Sequence, residues 1–230
     1  MARKHKSLIG LAIALAVLTI AAVTGGLLAK ADGQTWTGSA ETAWYNSAYT
    51  TYTINSAAEL AGVAKLVNED PDGSIDGCRN KILEIGKSLD LSAYLWVPIG
   101  TGEHPFRGTL ISKGGEILTL SGMNVDPSLS YQGLVGNMDG GTVGGFEFGS
   151  SGSISVTSVT YDVYAGAAVG KMTGNSTVYD ITNKMRIETI SSPFEAFTGG
   201  IVGMGTGSIS NSVNEASITA NGASAAGGIF

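Results

Sequence analysis

Cysteine and histidine are almost absent from this chain, and their scarcity bounds its chemistry. Cys78 is the only cysteine, so no disulfide framework can form within the chain. With no histidine or basic pair beside it, a lone thiol reads as a small buried apolar group rather than a nucleophile. The two histidines are His5 and His104. His5 falls in a leader-like start, and His104 alone assembles neither a two-histidine zinc motif nor a serine triad. Beside Pro105, His104 reads as a loop residue. Basic residues are scarce too: 13 Lys and Arg face 19 Asp and Glu, a formal charge of −6. Residues 1–31 carry Arg3, Lys4, Lys6 and Lys30 and no acid, so the remainder has a formal charge of −10. Such a surface argues against a nucleic-acid partner, which needs a basic face to neutralise phosphates.

The start of the chain has the pattern of an export leader. A basic stretch, Arg3 to Lys6, precedes an apolar run from Ser7 to Leu28, and Ala29-Lys30-Ala31 supplies the small-x-small pattern that a signal peptidase reads. Cleavage after Ala31 is expected, which places the protein outside the cell or on its surface. An uncleaved anchor is the alternative, since about 20 apolar residues span a bilayer; the Thr24-Gly25-Gly26 break and the Ala-x-Ala end favour cleavage. Membrane contact is expected only through this segment.

Residues 32–80 read as an N-terminal segment with a capping helix. Trp36, Trp44, Tyr45, Tyr49 and Tyr52 crowd its beginning, either to stack on sugars or, as favoured here, to cover the end of a core. Ser56-Ala57-Ala58-Glu59 has the spacing of a capping box. Leu60, Val63, Ala64 and Val67 then form one helical stripe, which predicts a helix to about Glu69, ahead of the Asp70-Pro71-Asp72-Gly73 turn. From 81 to 131 short β-type runs follow: Lys81 to Ile85, Ser88 to Leu91, Trp96 to Ile99, Phe106 to Ile111 and Glu116 to Leu120.

Residues 132–230 decide between a sandwich and a solenoid, because they repeat. Gly133-Leu134-Val135-Gly136 returns as Gly166-Ala167-Ala168-Val169-Gly170, as Gly200-Ile201-Val202-Gly203 after Gly199, and as Gly228-Ile229-Phe230 after Gly227. The steps are 34 residues from Gly136 to Gly170, 33 from Gly170 to Gly203 and 28 from Gly200 to Gly228. A period of this size marks a repeat architecture. Second strands fall at Val143, at Thr177 to Ile181 and at Ser208 to Ile209, and third strands at Ile154 to Val156, at Met185 to Ile190 and at Ala216 to Thr219. Three short strands per repeat are the content of one triangular coil of a parallel β-helix, an all-β fold in which each coil hides apolar residues that it could not bury alone. Leu134, Ile201 and Ile229 are expected to point inward at equivalent heights, with the small Ala167 between them.

The glycine-framed runs, together with Ile209-Ser210-Asn211-Ser212, resemble the GLUG-motif repeat proteins of bacterial cell surfaces. Ile54 to Ala61, Leu89 to Ser92, Trp96 to Gly100 and Phe106 to Leu110 are similar to the segment that precedes such repeats. The resemblance spans residues 52–230 and implies a right-handed parallel β-helix in a secreted or surface-attached protein, often adhesin-like. It carries no catalytic residues to transfer. The expected function is a non-catalytic rigid spacer or adhesive surface, with glycans or host and cell-wall proteins as partners. The stop at Phe230, within a motif, suggests a fragment of a longer protein.

Two other readings stay open: a β-helical polysaccharide lyase or hydrolase, and the accessory repeat region of a surface metallopeptidase. Sugar-cleaving β-helices need carboxylates held together on one face. Counted from Val143, Val178 and Ile209, the acids Glu147, Asp180 and Glu215 fall at different offsets, and Asp180 with Lys184 or Arg186 reads as solvated surface charge. Asp70 to Asp76 only loosely resembles a calcium loop, lacking the closing bidentate Glu. The glycine runs lack the Lys-Ser/Thr of a phosphate-binding loop. No cofactor or metal is expected.

Overall fold

Val, Ile, Leu and Thr alternate with small polar residues through most of this chain, and there the backbone is extended. The computed structural model describes Trp36–Ile229. The leader assigned to residues 1–31, residues 32–35 and Phe230 lie outside the described residues. The described strands form two sheets, of ten and seven strands, and every pairing among them is parallel. In the larger sheet Thr51 pairs with Ile82, Ile82 with Thr109, Thr109 with Thr142, Thr142 with Thr177 and Thr177 with Ser208. Each partner lies roughly thirty residues further on, the period of the glycine runs. Val143, Val178 and Ile209 share one row, and Ile154, Ile187 and Ile218 another, as the sequence suggests.

Because side chains alternate sides along a strand, in-register parallel pairing makes each row wholly inward or wholly outward. One inward row contains Leu83, Leu110, Val143 and Val178, all fully buried, and ends at the half-buried Ile209. Full burial of side chains this size contributes about 1.5–3 kcal/mol each before conformational entropy is subtracted.

The three short strands expected in each repeat merge in the later repeats into longer bent ones, Val169–Asn183 and Arg186–Gly199. The corners explain the difference. Gly145, Asp180 and Asn211 stand between paired residues of successive repeats, with φ of 84°, 52° and 48°. Asp and Asn tolerate this left-handed conformation better than other side-chain-bearing residues. One such residue turns the chain, so pairing resumes on either side of the corner.

The glycine alignment also shifts by one residue. Thr198 pairs with Ala165 and Ala165 with Gln132, so Gly133, Gly166 and Gly199 follow in one row, and Gly199 pairs with Gly227. Gly199 therefore opens the third copy, in place of Gly200. Val135, Val169 and Val202 nevertheless align, so the one residue by which the second and third copies exceed the first is taken up between the opening glycine and the buried valine.

Helix α1, Ala57–Asn68, covers the N-terminal end of the stack. Ser56 Oγ accepts from the Glu59 amide, and Glu59 Oε2 accepts from the Asn55 amide at 2.6 Å, so two amides at the helix start are satisfied reciprocally. Its stripe of Leu60, Val63, Ala64 and Val67 is buried as expected. The aromatic segment folds over this end: Trp44 meets Tyr45 and Tyr52 edge-on, and Trp36 packs against Trp96. It does so by crossing α1 at Gly62, where an added Cβ would stand 1.9 Å from the Glu41 carbonyl oxygen. Intrinsic propensity favours Ala over Gly in a helix interior by about 1 kcal/mol. Gly62→Ala is nonetheless expected to destabilise the protein, by about 1–3 kcal/mol from overpacking. Chemical denaturation checks this; a variant as stable as the parent would show that the crossing is loose.

Candidate functional site

The most patterned residues, the glycine-framed motif, face inward. Leu134, Val135, Val169, Ile201 and Val202 are fully buried, and Ile229 packs half-buried against the same core. The Leu134 amide donates to the Ala167 carbonyl, the Ala168 amide to that of Ile201 and the Ile201 amide to that of Ile229, so these residues do lie at neighbouring heights. Gly136, Gly170 and Gly203 follow the buried valines where the chain passes close to its own repeat and the one before. A Cβ on Gly170 would meet the Tyr164 carbonyl at 2.6 Å and the Gly136 carbonyl at 2.8 Å; one on Gly203 would meet the Gly170 carbonyl at 2.5 Å. Gly133 and Gly166 are similarly confined by backbone and Gly200 by the Gly228 carbonyl and the Asn214 side chain, whereas Gly228 has open space. The buried copies of the motif thus serve packing.

Charged groups are dispersed and answer one another. Lys184 Nζ lies 2.8 Å from Glu147 Oε2, and Arg186 pairs with Glu188 at 2.7 Å. The pairing of Asp180 with Lys184 or Arg186 considered from the sequence is therefore replaced: Asp180 turns a corner, and both cations find acids elsewhere. Such solvent-screened pairs contribute little to stability.

The Asp70–Asp76 loop is closed by the protein's own donors. Asp70 is almost fully buried and accepts from the Ile75 and Asp76 amides, and Asp72 accepts from the Ser74 amide. Arg79 donates to Asp76 at 2.6 Å and Arg107 at 3.0 Å, and these partners hold the Asp76 carboxyl below its usual range. Arg107 continues to Asp139 at 3.2 Å. Among the described residues no group of three His, Cys, Asp or Glu is placed to hold a metal ion. The backbone of His104 closes a tight turn on Thr101.

The outer faces carry hydroxyls. Thr51, Thr109, Thr142, Thr177 and Ser208 share an outward row interrupted by Ile82, and Ser155 and Thr157 are exposed on the smaller sheet. Rows of donors and acceptors at strand spacing can hydrogen-bond an extended polar partner; they supply no nucleophile or acid–base pair.

A ring ladder escaped the sequence reading. Tyr131, Tyr164 and Phe197 stack with centroids 5.3 and 5.4 Å apart and interplanar angles of 14° and 8°. Lys171 Nζ sits 4.8 Å from the Tyr164 ring centre. Burial, with the charges of Asp162 and Glu195 adding to it, raises the Tyr164 phenol above its ordinary pKa. The signal was present, since each ring stands two residues ahead of Gly133, Gly166 or Gly199. The inner ring faces meet each other, so a flat sugar would find mainly edges here; the ladder reinforces the stacking of repeats.

Burial pushes the Cys78 thiol up to about 12, with Lys81 opposing the shift and Asp70 adding to it. Its folded pKa exceeds the unfolded value, so the stabilising effect is complete below about pH 9 and is lost as pH rises from there towards 12. Native protein at pH 9 is expected to resist alkylation, whereas unfolded protein labels at once; rapid native labelling, read by mass spectrometry, would contradict the buried placement. Comparison with known proteins finds no matching family model, no matching curated protein and no matching solved structure.

Proposed function

We propose that the described residues form a right-handed parallel β-helix of the GLUG-motif kind, acting as a non-catalytic rigid spacer in an exported bacterial cell-surface protein. The observation that carries this reading is the register: in both sheets each repeat pairs in parallel with the next, roughly thirty residues on, from Thr51 to the final strands, with bulges at Met172–Ser176 and Ser191–Glu195. Such a stack is stiff along its axis, because each strand is hydrogen-bonded to its neighbours and each apolar row is shared. The outward Ser and Thr rows suit the spacer for secondary adhesion to glycans or to host and cell-wall proteins.

The enzyme alternative asks for converging acidic groups, and here Glu147, Glu188 and Asp76 are each engaged by a cation. Incubation of the purified chain with a panel of plant and bacterial polysaccharides is expected to release neither new reducing ends nor unsaturated sugars. Release of either would replace the spacer reading by that of a lyase or hydrolase. Export is tested separately. Expressed with its leader in a bacterial host, the chain is expected to yield a mature N-terminus at Asp32; N-terminal sequencing that finds the leader retained would turn the assignment to a membrane anchor.

A further inference from the structure

One corner of the smaller sheet presents large apolar side chains to water. Ser158 pairs with Ser191 and Val163 with Ala196, and between these pairs each repeat sends out a loop, residues 159–162 and 192–195. Val159 is 66% exposed, Ile190 39% and Phe194 37%, and Tyr161 beside them is half-buried. Apolar side chains gathered in this way mark a contact surface, whereas single ones scattered over a face do not.

The same corner carries two carboxylates. Asp162 and Glu195 end the two loops one rung apart, and the Glu195 amide donates to Asp162 Oδ1 at 3.1 Å. Neither acid has a basic side chain within ion-pair distance among the described residues. Like charges in neighbouring strands repel, and no cation of the chain relieves them here. Close by, the molecule shows how a cation is received: Lys171 Nζ lies over the ring of Tyr164, two residues beyond Asp162.

The two loops are held unequally. Ser158 Oγ accepts from the Thr160 and Tyr161 amides and donates to the Tyr161 carbonyl. Ser191, its counterpart one rung on, is fully buried, and its hydroxyl has no partner among the described residues. The Phe194 loop lacks this tie and is freer to close on an incoming side chain.

We propose that this corner docks a cationic, apolar segment of a partner protein, one in which lysine or arginine stands beside aliphatic residues. Charge complementarity selects that occupant. Its aliphatic groups cover Val159, Ile190 and Phe194, and its ammonium or guanidinium heads reach Asp162 and Glu195, because long basic side chains are apolar along the stem and charged at the tip. An acidic segment is repelled by the same two carboxylates, and a neutral glycan leaves them without a counter-charge. The proposal goes beyond the spacer reading and does not depend on it, since a spacer without this partner is still a spacer.

Fluorescence anisotropy with a labelled peptide of alternating lysine and leucine tests this on the purified chain. Binding is expected, weakening as salt is raised, and a peptide of alternating glutamate and leucine is expected not to bind. Asp162→Asn with Glu195→Gln is expected to weaken binding about tenfold, and Val159→Ser with Phe194→Ser to weaken it to a similar extent. Glu69→Gln with Glu116→Gln removes the same charge from α1 and from the turn ahead of Leu118–Ser121, and is expected to leave binding unchanged. Circular dichroism checks that each variant keeps its strands; where a pair of substitutions unfolds the chain, Glu195→Gln or Val159→Ser alone replaces it, with a smaller loss expected. No binding by the parent, equal loss in the two charge variants, or an unaffected apolar variant would each overturn the proposal. So would a cello-oligosaccharide that binds the parent and displaces the peptide.

Discussion

The parallel hydrogen-bonded register between one repeat and the next is the constraint on which the rest of the structure depends. Parallel neighbours cannot be joined by a tight hairpin, so the remainder of each repeat must serve as the connection. A slip of one residue would exchange every inward row for an outward one. The row from Leu83 to Ile209 tolerates no such slip, and length differences between repeats are taken up away from it, in the Gly166-Ala167-Ala168 segment and in bulges at Met172–Ser176 and Ser191–Glu195. The glycines of the motif follow from the same demand, because successive repeats and the two arms of one repeat come within backbone contact there.

Several polar groups drawn into this stack are paired, across rungs or within one. Asn183, fully buried, accepts from the Met185 amide and donates to the Asn214 side chain 2.9 Å away on the next rung, while Asn214 donates to the Ala216 carbonyl. Thr189 and Thr198 share a buried hydrogen bond of 2.6 Å. A buried polar group without such a partner costs about 1–3 kcal/mol, so these bonds let the chain turn inside the core without that loss. Lys184 with Glu147 and the stacked rings do on the surface what the asparagines do within: they tie residues one repeat apart.

The same economy explains the character of the candidate surface. Glu147, Glu188 and Asp76 lie on different rows, each beside a cation, and the exposed rows carry small hydroxyl residues. The chemistry left on the outside is hydrogen bonding at regular spacing, which suits reach and contact. Reactive groups are withdrawn, as with Cys78, whose thiol lies fully buried beneath the N-terminal cover.

Local chemistry alone determined several features. The capping box and apolar stripe specify α1, and the glycine period with β-branched runs specifies a strand-rich repeat, including the equivalence of Val143, Val178 and Ile209. These are legible because capping, periodicity and turn preference act within a few residues. Only the tertiary structure decided that Gly199 opens the third copy and that Asp180 and Asn211 are corners. It alone joined short strands into two bent sheets, assigned Lys184 to Glu147, and let the crossing chain demand a glycine at position 62 of α1. Each of these depends on atoms twenty or more residues apart being brought within hydrogen-bond or contact distance, by the stacking of repeats or, at Gly62, by the N-terminal segment crossing α1. A sequence carries that information only through the register, and the register is decided by burial of whole rows at once.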